Sequence, residues 1–397
     1  MFESTVLRRS PEGYATTFGE IAEALLYYQK VHIIIDRGTL VALVKQIGTN
    51  RLLTLISNPR LSSVYTEEIL ATKTDAIGPF ETHLYTALTI SGHQDVGQYK
   101  DITERVYRTL EQEGIERSVA KRFAKRFTDR VPARKLSGNH FLPGGIPEAG
   151  KKDLFDQAFR LAAVRTIVAS MSGGYRLGED LKFDVVDSDL GMYVFHNLDL
   201  NAIDLYRRSN APATDAITVA QILNNALEAR ADLTFALHYG GDFVTSRAGS
   251  NLMRVRHSEI LRRSNLNNES KQQFHEVTLP DAPTVSEVID SGERSFEDFF
   301  RLLDRSARFK TWLSTVNPDD DLVRSYVREI TAEGWVQSLP VKILRYLFVT
   351  AVESSNPLLG LAAGLNDTFV LDKMLGGWRP NHFIKARLGP FVSTNNQ

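Results

Sequence analysis

The C-terminal apolar block from Leu339 to Leu375 constrains the fold of this chain more than any other stretch. A membrane-spanning helix needs about 20 consecutive apolar residues. Here polar residues and a proline interrupt the run at its middle, over Glu353–Pro357. Because proline stops a helix that reaches it from preceding residues, the pattern predicts a buried helical hairpin, Val341–Glu353 and Leu358–Met374. We expect no constitutive insertion into a membrane.

Composition indicates an ordinary globular protein of a reducing compartment. Hydrophobic residues make up 43% and charged residues 24% of the chain, and the net charge is -1, which argues against a generally basic protein that coats nucleic acid. The absence of cysteine excludes disulfides, thiolate zinc sites and cysteine nucleophiles. The opening residues, MFESTVLRRSPEGY, lack the apolar run of about 7–15 residues of a signal peptide. We therefore expect a cytoplasmic protein.

Apolar periodicity predicts an α+β fold, in which a small N-terminal α/β unit precedes a predominantly α-helical region that ends in the apolar hairpin. Residues 1–100 mix helical and strand patterns and form a small α/β domain. Residues 101–150 contain a basic helix and a Gly/Pro-rich loop. Residues 151–397 form a mainly helical domain with a small β-hairpin near 183–195.

Individual elements follow from the same patterns. Helical spacing predicts helices over Phe18–Gln29 and Phe296–Leu313. Alternation predicts strands over Leu61–Tyr65 and Glu81–Ile90. Asp153 is a candidate N-cap for a helix that ends near Ser170, before two glycines.

The segment VHIIIDRGTLVALVKQIG, followed by LSSVYTEEILAT, resembles the opening of PIN-domain nucleases over about residues 31–72. In that family a strand ends in a metal-binding aspartate, and a second strand leads to a helix that carries another acid. Asp36 falls on the first acid, whereas Thr72 stands where the second should be. The resemblance implies a Mg²⁺- or Mn²⁺-dependent nuclease with Asp36 as its first catalytic acid. Glu67 or the adjacent Glu68 is the candidate for the second acid, and a third acid such as Asp101, which lies outside the resemblance, would complete the site.

The strongest electrostatic feature is a basic segment, Arg117–Lys135, in which Asp129 is the single acid. Phe123 and Phe127 lie four residues apart and give its helix one apolar side. Such a helix can bind phosphates of DNA or RNA, lie on an anionic membrane, or dock on an acidic protein. It can also be a solvated face balanced by nearby acids, namely Glu111, Glu113 and Glu116. The candidate nucleic-acid-binding residues are Arg117, Lys121, Arg122, Lys125, Arg126 and Arg130.

Two further features bear on function. Gly145–Lys152 matches most of the nucleotide-binding motif GxxxxGK[ST], but Lys152 replaces the hydroxyl residue and Pro147 removes a donor. We interpret it as a turn that leads into a helix. Near the C-terminus, Gly360 and Gly364 lie one turn apart and Trp378 follows the hairpin, so these three residues are candidate interface positions.

No catalytic motif is complete in the sequence. The leading interpretation is an interaction or regulatory protein that binds nucleic acid through the basic helix and acts with a protein partner or as a homo-oligomer. One alternative is a degenerate or active PIN-like nuclease, the single case in which a cofactor, Mg²⁺ or Mn²⁺, is expected. Another is an effector that releases its C-terminal apolar hairpin to act on membranes.

Overall fold

A computed structural model describes residues 2–9, 14–78, 80–89, 99–210, 216–243, 258–316, 322–323, 325–326 and 379–393. Contacts divide the chain into two compact units. The sheet unit comprises residues 4–17 and 31–262, and the helical unit comprises residues 1–3, 18–30 and 263–397. Each unit is thus assembled from separate pieces of the chain. The domain boundaries that the sequence predicts at residues 100 and 150 stay predictions.

The described strands, in chain order, are β1 (Ser4–Leu7), β2 (Lys30–Ile35), β3 (Leu61–Tyr65), β4 (Glu68–Ile77), β5 (Phe80–Thr89), β6 (Phe183–Ser188), β7 (Gly191–His196) and β8 (Asp242–Phe243). The described helices up to residue 239 are α1 (Phe18–Tyr27), α2 (Arg37–Ile47), α3 (Thr49–Ile56), α4 (Ile102–Gln112), α5 (Arg117–Thr128), α6 (Gly145–Phe155), α7 (Gln157–Ser172), α8 (Leu200–Asn210) and α9 (Val219–Tyr239). They continue with α10 (Ser258–Thr278), α11 (Val285–Asp290), α12 (Phe296–Asp304), α13 (Ala307–Thr315), α14 (Pro380–Phe383) and α15 (Gly389–Val392). A π-helical turn, Ile384–Leu388, joins the last two.

A parallel sheet of order β3-β2-β1-β8 lies at the start of the sheet unit. Its strands β2 and β3 are parallel, with Val31 opposite Leu61 and Ile35 opposite Tyr65. Strand β2 is buried from its second residue onward, which explains its unbroken apolar run. The carboxyl ends of parallel strands meet at one edge, so Asp36, which follows β2, lies at the same edge as the residues that follow β3.

The second sheet is antiparallel, with the order β4-β5-β7-β6. Strands β4 and β5 pair along their whole length, from Glu68 opposite Thr89 to Ile77 opposite Phe80. One face supplies core residues, including Leu70, Tyr85 and Met192. Helix α9 packs against β4 and α6 on this side. Large apolar side chains are exposed along the other face of these strands, and such patches usually contact other protein surfaces; they are Phe80, Leu84, Leu88, Val186 and Phe195.

The helical unit has an aromatic core. Phe309 stacks on Phe383 with ring centroids 4.8 Å apart, and Phe274 packs against Trp312 at 6.1 Å. At the other end of the core, Phe18 of α1 stacks on Phe296 of α12 at 5.2 Å. These contacts join helices that are far apart in the sequence. Aromatic side chains of this size supply most of the apolar area that such a small helical core buries.

The coarse fold prediction is confirmed: a mixed α+β chain with an N-terminal parallel sheet and helices, an antiparallel sheet, and mostly helices thereafter. Two details were wrong. Asp153 lies inside α6 and pairs with Arg230 at 2.7 Å, while Asp156 caps α7 instead. The predicted helix Phe296–Leu313 is interrupted between α12 and α13, where Ser306 Oγ donates to the Leu303 carbonyl. In both places a polar side chain bonds the backbone and redirects the chain.

The predicted apolar hairpin lies outside the described residues. Among the helices that the structure describes, none is long and apolar enough to span a membrane.

Candidate nucleic-acid interface

Helix α5 is fixed by its apolar side. Glu116 caps its first turn and accepts a hydrogen bond from the Ser118 amide at 3.0 Å. Hydrogen bonds from Ser118 hold the pKa of Glu116 below its ordinary value, so a negative charge stands at the positive end of the helix dipole. The buried residues follow helical spacing and include Phe123 and Phe127. Phe127 packs edge-on against Tyr65 of β3, with ring centroids 5.5 Å apart.

The basic side chains of α5 occupy the opposite side. Because the apolar stripe faces the core, the cations between its members project into solvent. All six predicted nucleic-acid-binding residues are exposed: Arg117, Lys121, Arg122, Lys125, Arg126 and Arg130. Of these six side chains, Arg117 alone has an acidic side chain of a described residue within ion-pair distance. That contact, with Glu111, is long, at 3.8 Å.

The three acids near this helix also bind other groups. Glu111 accepts hydrogen bonds from Arg108 and from the Tyr107 hydroxyl, at 3.0 and 2.9 Å. Glu113 pairs with Lys45 of α2 at 2.7 Å, and Glu116 caps α5 itself. The basic side of α5 therefore keeps most of its charge. Balance by nearby acids is limited to the long contact of Glu111 with Arg117 and to the attraction between Glu116 and Arg122, which helps to lower the pKa of Glu116.

The basic surface continues past the end of α5. The chain returns alongside β3, where the Arg134 amide donates to the Tyr65 carbonyl at 2.8 Å. Arg134 Nε then donates to Nε2 of His140 at 3.2 Å. Burial, Arg134 and His238 lower the pKa of His140, so this ring is neutral at pH 7 and accepts the bond. Sequence reasoning missed the role of His140, since only the fold brings it to Arg134.

The three predicted catalytic acids are each held by a structural contact. Asp36 accepts a hydrogen bond from the Thr39 amide at 2.7 Å and caps α2. Both Glu67 carboxylate oxygens bind Nε of Arg105, at 3.0 and 2.9 Å, and Nη2 adds a bond of 2.7 Å. Asp101 accepts a bond from the Thr103 amide at 3.1 Å and caps α4.

These acids do not assemble into a metal-binding group. Asp36 and Glu67 follow neighbouring strands, but Arg105 occupies the Glu67 carboxylate. In the described part of the chain, no three Asp, Glu or His side chains converge closely enough to hold a metal ion. The helix that the PIN resemblance implies after β3 is the strand β4 instead. The nuclease interpretation has not been tested by activity and stays a prediction.

The Gly/Pro-rich segment 137–150 forms a turn that leads into α6, and it does not form a phosphate-binding loop. Residues from Gly145 onward belong to α6. Lys151 pairs with Asp187 of β6 at 2.7 Å. Buried Glu68 accepts bonds from the Ser137 amide and hydroxyl, both at 2.8 Å. Gly145 has φ of +80°, and a side chain there would meet the Ser137 carbonyl oxygen. The segment lines a cavity of about 440 Å³ beside the β6–β7 turn.

Other predicted features lie outside the described side chains. The interface candidates Gly360, Gly364 and Trp378 fall in an undescribed stretch. The sequence also contains a second group of basic residues, whose side chains the structure does not describe: Arg254, Arg256, His257, Arg262 and Arg263.

Comparisons with known proteins found no match: no family model, no curated protein and no solved structure is similar to this chain.

Proposed function

We propose that this protein is an interaction protein that binds nucleic acid through the exposed basic side of α5. The observation that carries the proposal is a set of six solvent-exposed cations, five on α5 and Arg130 just after it, of which Arg117 alone has an acid of the described residues within ion-pair distance. Unpaired cations on a rigid element can neutralise backbone phosphates without first breaking an internal ion pair.

The geometry of α5 favours contact with the phosphate backbone. Twelve helical residues span roughly 18 Å, and one strand of a duplex places a phosphate about every 3.4 Å along its axis. The helix therefore passes about five phosphates on one strand. Its aromatic residues, Phe123 and Phe127, are fully buried, so they offer no platform for stacking unpaired bases. We expect binding to duplexes with little sequence preference.

The membrane alternative for α5 is less well supported. An interfacial helix binds a bilayer by inserting its apolar side among the lipid headgroups. In α5 that side is packed into the sheet unit, and Phe123, Ala124 and Phe127 have no exposed surface. Only electrostatic attraction would remain. A second copy of the chain or another protein partner stays a prediction.

The test uses the full chain and fluorescence anisotropy with 30-base-pair duplex DNA, duplex RNA and single-stranded DNA. If about five phosphates are neutralised, affinity should fall several hundredfold between about 50 and 200 mM salt. Charge reversal in the variant Arg122→Glu, Lys125→Glu, Arg126→Glu should abolish binding at both salt concentrations.

A matched control reverses three exposed cations elsewhere in the sheet unit: Lys152→Glu, Lys182→Glu and Arg208→Glu. Both variants have the same net charge, so this control should keep most of the parental affinity. The proposal fails if the parent does not bind at low salt. It also fails if the α5 variant binds like the parent, or if the control loses binding equally.

A further inference from the structure

The helical unit contains a cavity of about 230 Å³ beside α12 and the C-terminal helical segment Pro380–Val392. Four arginines line it, together with one carboxylate and one aromatic ring. These residues are Arg294, Arg301, Arg305, Arg387, Asp298 and Phe391. The arginines come from positions up to 93 residues apart, so the fold itself concentrates the positive charge.

The positive charge in this cavity is largely unbalanced. Asp298 pairs with Arg301. Hydrogen bonds from Ser295 and then Arg301 hold the pKa of Asp298 below its ordinary value, so this carboxylate is ionised at neutral pH. Arg305 and Arg387 are exposed and form no ion pair with any described residue. Four guanidiniums against one carboxylate leave three positive charges facing one small space.

The cavity is held together by contacts that leave its charge intact. Arg294 donates to three backbone carbonyls of the C-terminal segment, those of Phe391 at 2.5 Å and of Pro390 and Ser393 at 2.9 Å each. Its guanidinium also lies 5.7 Å from the centre of the Phe391 ring. Neutral carbonyls satisfy its N–H groups without cancelling its charge. The segment that carries Arg387 is thus tied to the segment that precedes α12.

Arg387 lies in the π-helical turn Ile384–Leu388. Such turns are rare and occur frequently at functional sites. Ala386 and Arg387 of this turn line the cavity together with Pro390 and Phe391, which follow it. This local irregularity is a second observation, independent of the charge, that marks the same place.

We propose that this cavity binds the phosphate or diphosphate group of a phosphorylated small molecule. Guanidiniums match the oxygens of phosphate in paired hydrogen bonds. A ligand with a single carboxylate would neutralise one of the three unbalanced positive charges. A diphosphate carries enough negative charge to neutralise more of them. The volume of about 230 Å³ is below the roughly 300–1,000 Å³ of pockets that enclose a whole ligand. The site therefore holds the anionic group, and the remainder of the ligand projects into solvent.

The test titrates the full chain with inorganic pyrophosphate by isothermal calorimetry, and in separate arms with inorganic phosphate and with ADP. Arg305→Gln and Arg387→Gln should each weaken pyrophosphate binding at least about tenfold, because each removes a charge-assisted contact. Arg387→Lys should retain part of the affinity, since it keeps the charge but loses the fork geometry. Arg308→Gln, an exposed arginine of α13 outside the cavity lining, is the matched control and should bind like the parent.

The titration with ADP shows which part of a phosphorylated ligand the site recognises. Equal affinity for ADP and pyrophosphate means that the diphosphate alone is recognised, and tighter ADP binding means that the attached group also contacts the protein. Melting temperatures of all variants establish that they are folded. No detectable heat from the parent with pyrophosphate up to about 5 mM overturns the proposal. Undiminished binding in Arg305→Gln and Arg387→Gln, or equal loss in Arg308→Gln, does so as well.

Discussion

The basic helix α5 and the arginine cavity of the helical unit concentrate positive charge in two different ways. In α5 the cations are neighbours in the sequence, and one helix presents them because its other side is buried. In the cavity they come from three places, at Arg294, at Arg301 with Arg305, and at Arg387. A linear array suits a long polyanion, whereas a convergent set suits a compact one. The same side-chain chemistry thus implies different ligands.

The apolar side of α5 holds the basic helix in the sheet unit. Phe127→Ala removes a fully buried ring that packs against Tyr65 and Phe123. We expect it to lower the free energy of unfolding by about 3–5 kcal/mol, measured by urea denaturation followed by circular dichroism. Lys125→Ala on the exposed side should change it by less than about 0.5 kcal/mol. Similar effects of the two substitutions would contradict this division of roles within α5.

In the cavity, by contrast, one arginine is also structural. Arg294→Gln should destabilise the helical unit by about 1–3 kcal/mol, because it leaves carbonyls of Pro390, Phe391 and Ser393 without their donor. Hydrogen exchange of the segment Pro380–Val392 should quicken. Arg301→Gln, whose side chain is mostly exposed, is the control and should leave exchange there unchanged. A segment that stays protected without Arg294 would show that other contacts hold it.

The single carboxylate of the cavity should oppose anion binding. Asp298→Asn should tighten pyrophosphate binding about fivefold, which corresponds to roughly 1 kcal/mol for one charge at short range in a solvated site. Because the pKa of Asp298 is lowered, its charge is constant from about pH 5 to 8. Any change in the ratio of variant to parental affinity over this range should therefore follow the charge of the ligand, whose phosphate groups lose a proton at about pH 6, and not the protonation of Asp298. The difference in affinity caused by Asp298 should disappear only at a pH more acidic than an ordinary aspartate requires, because the pKa of the parental carboxylate is lowered.

The smallest effects are expected when the variants of one region are tested for binding of the ligand proposed for the other region. The α5 variant Arg122→Glu, Lys125→Glu, Arg126→Glu should bind pyrophosphate within about twofold of the parent, since none of the three substituted residues lines the cavity. Likewise, Arg305→Gln and Arg387→Gln should bind duplex DNA within about twofold. A large loss of affinity in either of these two assays would mean that α5 and the cavity bind one common ligand. It would contradict the assignment of a different ligand to each region.

Sequence patterns predicted what depends on neighbouring residues. Alternation placed β3 at Leu61–Tyr65 as observed, and the charge pattern identified α5 with its buried Phe123 and Phe127. Strand β1 was missed because its four residues, Ser4–Leu7, are too few to show a period. Strand β4 was missed because its outer half, from Lys73 onward, is exposed and shows no regular apolar alternation, and pairing with β5 determines its conformation.

The candidate site residues also differ in whether neighbouring residues or long-range contacts determine their surroundings. The exposure of Lys121 or Arg126 follows from the position of the apolar stripe on one helix. The contact of Glu67 with Arg105, 38 residues away, has no local signature, and neither has the approach of Arg294 to Pro390. Sequence reasoning therefore identified Glu67 as a candidate catalytic acid and passed over Arg294, Arg305 and Arg387. Long-range packing decides which charged groups meet, and a single sequence carries no direct record of it.

The π-helical turn at Ile384–Leu388 has a genetic consequence. A π-turn is equivalent to an α-helix that has gained one amino acid, and each residue of an α-helix advances about 100° around the axis. The extra residue is absorbed within the turn, so the residues after it keep their helical phase. Deleting the codon of Ala386 should therefore leave an ordinary helix in which Pro390 and Phe391 keep their place against Arg294, while the wide turn that carries Arg387 is lost. The smallest in-frame mutation available to this gene thus separates the anchor of the cavity from its irregular turn, and every arginine is retained.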